Sequence, residues 1–143
     1  MKARNSPDTI VALDVGERRI GVATASVVAR LPHPWGVLDQ SADVTEHLHD
    51  LLQRLRAVTL VVGLPRGMDG QETAQTVYVR NFISRVQTVL QIPVYWMDEA
   101  LTSHQAKVEL ELRKRPYSKG DIDALAACYI LNDYLTTHQK DIT

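Results

Sequence analysis

Five acidic residues on three well-separated stretches are the side chains best placed to do chemistry: Asp14, the pair Asp98 and Glu99, and Asp121 with Asp123. Asp14 lies near the end of Thr9-Ile10-Val11-Ala12-Leu13-Asp14-Val15-Gly16. On a strand it shares a face with Ile10 and Ala12. A carboxylate there is costly to bury unless a proton or a cation neutralises it. Asp98 and Glu99 follow Val94-Tyr95-Trp96-Met97, at the carboxyl end of a parallel strand, where α/β sheets build their sites. Neighbours on a strand point to opposite faces, so only one of this pair can join Asp14, and the residues themselves leave that choice open. Winding residues 121–134 at roughly 100° per residue places Asp123 on a stripe with Ala127, Ile130 and Tyr134. Asp121 falls on the opposite side with Cys128 and Asn132, where helix capping accounts for it. Asp133 also projects to the apolar side, nearer the helix end. Acidic oxygens drawn from three elements suit magnesium or manganese. Two such ions about 3.5–4 Å apart activate a water and stabilise the leaving oxygen of a phosphodiester. The expected chemistry is therefore metal-dependent phosphodiester hydrolysis with one or two ions. It requires the acids to share a cation, with none locked to an arginine.

The elements that must position these acids read as follows. Residues 9–16 are apolar on both alternating sets, as in a strand covered on both faces. Residues 19–25 alternate and form a hairpin with them across Gly16-Glu17-Arg18. Residues 35–38, after Pro32 and Pro34, make a third, edge strand. Val44, Leu48, Leu51, Leu52 and Leu55 mark a helix over 41–55, with Asp43 and Glu46 at its start. Residues 58–62 form the next strand, followed by a loop over 63–70. A helix over 71–90 turns Val77, Phe82, Val86 and Leu90 to the core, and 94–97 is the last strand. Thr102 with Gln105, and Ser118 with Asp121, have capping-box spacing before helices over 102–112 and 118–137. This βββαβαβαα order predicts a mixed five-stranded sheet, an antiparallel three-strand meander plus parallel strands, with helices on both faces.

The chain has 143 residues, which suits one domain with a real core, preceded by a polar tail over 1–8. No apolar run approaches the roughly 20 residues of a membrane span, and the polar start is not a signal peptide. A single cysteine, Cys128, excludes an internal disulfide and fits a cytoplasmic protein. With a net charge of -1, nucleic-acid binding must rest on local basic clusters or on metal ions that offset the acids. Arg18, Arg19 and Lys119 are candidates for holding a phosphate backbone. Arg66, in a glycine-rich loop whose N–H groups could approach phosphate, is another. Thr102 and Ser103 follow Glu99 and are candidate substrate contacts, although capping is the simpler account of Thr102.

Four motifs carry a resemblance to a known family. They are Leu13-Asp14-Val15-Gly16 with Arg19-Ile20-Gly21-Val22-Ala23; Val61-Val62-Gly63-Leu64-Pro65 with Met68-Asp69-Gly70; Asp98-Glu99 with Leu101-Thr102-Ser103; and Asp123-Ala124-Leu125-Ala126-Ala127. In order and spacing, from about Ile10 to Leu135, they resemble the YqgF (RuvX) family. The resemblance implies a ribonuclease H-like α/β fold. It implies a nuclease that matures the 5′ end of pre-16S ribosomal RNA, or a Holliday junction resolvase acting on branched DNA. It implies an acidic triad of Asp14, Glu99 and Asp123 that is both catalytic and metal-binding, which selects Glu99 over Asp98. It further implies nucleic acid and pre-ribosomal particles as partners, no membrane, and a monomer or weak homodimer. Two positions depart from the family pattern. Ala100 stands where a basic residue is common, and Glu17 where a small residue is common. Two other function classes compete: a non-catalytic nucleic-acid-binding module, and an actin-like ATPase or sugar kinase. The latter needs two lobes to enclose its nucleotide, and the chain has residues for one.

Overall fold

The strand Thr9–Val15 (β1) is apolar on both faces because helices cover both. It pairs antiparallel with Arg19–Ser26 (β2), which pairs antiparallel with His33–Asp39 (β3). On its other side β1 runs parallel to Ala57–Pro65 (β4), which runs parallel to Val94–Glu99 (β5). The sheet order is β3-β2-β1-β4-β5, so the antiparallel meander and the parallel strands share one sheet as the element order implies. The computed structural model describes residues 7–99 and 102–138; of Thr102 and Ser103 it describes the backbone alone.

Val44–Arg54 (α1) and Ala74–Val89 (α2) cover one face. Leu48, Leu51, Leu52, Phe82 and Ile83 pack there on Val11, Leu13, Ile20, Val22 and Val62. Lys119–Thr137 (α4) covers the other face, with Ala127, Ile130 and Leu131 against Ile10, Ala12, Ala23, Ala25 and Val61. The alanines on both partners let α4 lie close to the sheet. Thr102–Leu112 (α3) packs on the flank of α4, through Ala106 and Leu110 against Leu125 and Ala126. Asp14 lies on the α4 face, in phase with Ile10 and Ala12. Its partner across the β1–β2 ladder is Gly21.

Several expectations are corrected by packing. The strand expected to stop at Val62 continues through Pro65, because β5 pairs with it as far as Glu99. The third strand reaches from His33 to Asp39 by bulging between its pairings to Val22 and Ala23, where Gly36 takes a positive φ of 148°. Asp43 stands at the α1 N-cap but makes no side-chain capping bond. Val77, expected in the core, is exposed, because Val79, Phe82, Ile83 and Val86 define the inward face of α2. Asp133 is exposed, so the one acid that competed with Asp123 for the apolar side of α4 is a surface residue. Cys128 is not on a polar side. The arrival of α3 makes its surroundings apolar, and burial, then Glu109, pushes its thiol up from the ordinary value. The Ser118–Asp121 capping box forms as expected, with Asp121 Oδ2 accepting from Ser118 N at 2.9 Å and Asp121 N donating to Ser118 Oγ at 3.1 Å.

Candidate active site

Two glycines create the space in which the acids meet. A Cβ at Gly21 would stand 2.0 Å from the Asp123 carbonyl oxygen, so the first turn of α4 rests directly on β2. On the other side of Asp14, a Cβ at Gly63 would stand 3.1 Å from Glu99 Oε1 and 2.5 Å from Ile130 Cδ1. At Gly21 the close atoms are backbone, so only glycine permits the approach; at Gly63 they are side-chain ends, so a methyl group there would push Ile130 aside. Asp14 therefore lies between two bare strand positions, with Asp123 brought up beside one and Glu99 beside the other.

Strand alternation decides between Asp98 and Glu99. Tyr95 meets the Tyr134 ring of α4 at 5.3 Å, and Met97 packs into the α4-side core. Glu99 continues that phase and is partly buried, whereas Asp98 is exposed and accepts from Arg66 Nε at 3.1 Å. The structure thus brings Glu99 to Asp14 and turns Asp98 away. Burial pushes the Asp14 carboxyl well above the ordinary carboxylate range, followed by the charge of Glu99, a side-chain hydrogen bond with Glu99, and the charge of Asp123. Two carboxyl groups in hydrogen-bonding contact need a shared proton or a cation between them.

Asp123 departs from the expectation. Its Oδ2 accepts from Arg19 Nε at 2.6 Å, with the two side chains 23% and 27% exposed. One acid of the expected triad is therefore taken up by an arginine. Among the described residues, no three His, Cys, Asp or Glu side chains stand in a ready-made metal-binding arrangement. The contact is a partly solvated pair, and the guanidinium supplies positive charge beside the acids. The donor set of Asp14 and Glu99, two oxygen-bearing acids pressed together, fits a hard divalent cation. The condition that none of the acids be locked to an arginine is not met at Asp123, and the donors that stand together are Asp14 and Glu99.

An open pocket of about 320 Å³ adjoins Asp123, lined by Gly16, Glu17, Arg18, Arg19, Gln75 and Asp123 itself. Gln75, from the first turn of α2, donates through Nε2 to the Val15 carbonyl at 3.3 Å. Nothing in its spacing marks it; only the approach of α2 to the end of β1 brings it here. That approach is fixed by the Thr73–Thr76 capping box and by Thr76 Oγ1 donating to the Pro65 carbonyl. Arg18 is exposed in the β1–β2 turn, and Lys119 is exposed at the start of α4. Arg66 is committed to Asp98 and to the Gly70 carbonyl at 3.2 Å. Three N–H groups of the loop are used within it: Gly67 N donates to Gln71 O, Gly70 N to Gly67 O and Asp69 N to Gln71 Oε1. The Thr102 and Ser103 side chains, and the departure at Ala100, lie outside the described residues.

A mixed five-stranded sheet with acids converging over its central strand defines the ribonuclease H-like class. The fold is shared with Thermus thermophilus RuvC, solved with a Holliday junction substrate, at a TM-score of 0.54 and 16% identity, over 90% of this chain and 95% of that one. Sequence comparison is more specific. Residues 8–137 match the model of the RuvX family, described as Holliday junction resolvase. A Rippkaea orientalis protein called "Putative pre-16S rRNA nuclease" is 37% identical over 134 residues, covering 90% of this chain and 96% of its own length. One of the same name from Chloroflexus aggregans is 41% identical over 138 residues, covering 92% and 96%. The chain belongs to the RuvX family.

Proposed function

We propose that this chain is a divalent-metal-dependent nuclease that trims the 5′ end of pre-16S ribosomal RNA. The observation that carries the reading is the contact between Asp14 and Glu99 on a sheet position cleared by Gly21 and Gly63, with Asp123 in electrostatic reach. Folding brings like-charged groups together here at a cost that a bound cation would offset. Asp14, Glu99 and Asp123 would hold one or two magnesium or manganese ions. When bound, such an ion polarises a phosphoryl oxygen and lowers the pKa of its water. The chain's own residues do the rest. Gly21 and Gly63 keep side chains out of the space, and the β1–β2 turn presents Arg18 beside the pocket. Lys119, one turn before Asp123 on α4, offers a second charge to the nucleic-acid backbone.

The names of the relatives favour ribosomal precursor RNA; the setting we propose for that substrate is the pre-ribosomal particle in the cytoplasm. The family description favours a second reading, resolution of branched DNA. Symmetric cutting of a junction needs two active sites, hence a dimer, whereas trimming an RNA end is within reach of a monomer or weak homodimer. Among the described residues, no helix is long and apolar enough to cross a membrane.

The test incubates one preparation with a pre-16S leader RNA and with a four-way DNA junction, in magnesium and in manganese. The proposal expects metal-dependent RNA cleavage that disappears in Asp14→Asn and Glu99→Gln while circular dichroism stays native. Cleavage of the junction alone favours the second reading. Tight RNA binding with no cleavage in either metal would leave a binding module and refute the nuclease.

A further inference from the structure

The Arg19–Asp123 pair has a role beyond holding two elements together. Resting on the nuclease reading, we propose that Arg19 is the resident counter-ion of Asp123: a positioning residue that a divalent cation displaces when Asp123 becomes a ligand. The released guanidinium then stands in the open pocket beside Asp123, where a substrate phosphate would enter.

The pair joins Arg19 Nε to Asp123 Oδ2 at 2.6 Å, across two elements packed so closely that Gly21 has no room for a Cβ. Arginine keeps its charge at any working pH, so the competition cannot be relieved by losing a proton. Arg19 holds Oδ2 of Asp123, and a dication ligated by the same carboxylate would repel the guanidinium and weaken that bond. The backbone that carries Arg19 is fixed. Gly16 N donates to the Arg19 carbonyl at 3.0 Å, and Gln40 bonds both the Arg18 carbonyl and the Gly16 carbonyl at 2.9 Å. With the backbone braced in this way, the exchange we propose is a swing of the Arg19 side chain. The pocket of about 320 Å³ that Arg19 and Asp123 both line gives the side chain somewhere to go. Glu17 lines the same pocket, so an alternative carboxylate is available to the freed cation until phosphate arrives.

The test is manganese binding to the intact chain, followed by electron paramagnetic resonance with MnCl₂ and no nucleic acid. Arg19→Met, which keeps the packing of the stem, is expected to tighten Mn²⁺ about tenfold. Arg18→Met removes the same charge from the same pocket but no ion pair, and should tighten it less than about threefold. In an Asp123→Asn background, Arg19→Met should give no tightening, because the competition is gone. Arg19→Gln repeats the comparison independently of how methionine packs. Equal tightening by Arg18→Met, or tightening that persists without the Asp123 charge, would reduce the effect to general electrostatics and overturn the proposal. So would Mn²⁺ affinity unchanged by losing Arg19. Failure of the nuclease reading looks different: Mn²⁺ binding in the parent chain would be absent, or indifferent to Asp14→Asn.

Discussion

Adding one methyl group at Gly21 should damage the site more than the fold. An alanine Cβ there would lie 2.0 Å from the Asp123 carbonyl oxygen, 2.4 Å from its carbonyl carbon and 3.1 Å from Ala124 N. All three are backbone atoms, so no rotamer change relieves the clash. Real Cβ contacts essentially never fall below 3.0 Å, so the first turn of α4 must retreat by about 1 Å. Overpacking of this kind typically costs about 1–3 kcal/mol, a substantial part of the roughly 5–15 kcal/mol that holds a domain together. At this chain length the melting temperature should fall by about 3–10 °C. The same retreat carries Asp123 away from Asp14, and a misplacement of about 1 Å costs on the order of 100-fold in rate. Thermal melts, and magnesium-dependent RNA cleavage measured at about 25 °C, below the transition, separate the two effects. Gly120→Ala is the control. Its Cβ would meet nothing closer than Ser118 Oγ at 3.5 Å, and alanine favours the helix, so stability should hold or rise by up to about 1 kcal/mol with cleavage retained. Gly21→Ala with parent-like melting and parent-like cleavage would refute the close seating of α4 on β2, and with it the geometry of the site.

Other outcomes follow from the same contacts. The folded-state pKa of Asp14 is raised, so the metal-free fold holds the Asp14 proton more tightly than the unfolded chain. That contribution is complete below the unfolded value near 4 and is lost as pH rises through the folded one. In EDTA, Asp14→Asn should melt close to the parent at low pH and increasingly above it toward neutrality; a constant difference across that range would contradict the assignment. Glu99→Gln should reduce cleavage at least about 100-fold, whereas Asp98→Asn, which loses only an exposed pair with Arg66, should shift stability by no more than about 1 kcal/mol and leave the rate within about threefold. Ser118→Ala, which removes half of the α4 capping box, should cost about 0.5–2 kcal/mol by denaturant unfolding.

The sheet was legible because its strands advertise their environment. Residues 9–15 are apolar in both phases, which only a strand between two helical layers needs. Helix periodicity likewise placed Asp123 inward and Asp121 at the cap, and both positions hold. What local pattern could not convey was set by contacts between distant segments. Pro65 belongs to a strand because Glu99 pairs with it, and Cys128 is half-buried because α3 happens to lie there. The choice of Glu99 over Asp98 needed the phase of Tyr95 and Met97 against α4, which one strand cannot reveal about itself. The Arg19–Asp123 pair, 104 residues apart in sequence, was invisible for the same reason: Arg19 could be read as a candidate phosphate contact, not as the partner of Asp123. The bonds of Arg66 to Asp98 and to the Gly70 carbonyl were hidden in the same way, because they depend on how the loop closes rather than on its glycine content.

The most direct measurement is anomalous scattering from a crystal of this chain soaked in manganese. The account predicts a peak between the carboxylates of Asp14 and Glu99, with Arg19 withdrawn from Asp123. A peak confined to other acids, or none at these two under concentrations that support RNA cleavage, would contradict it.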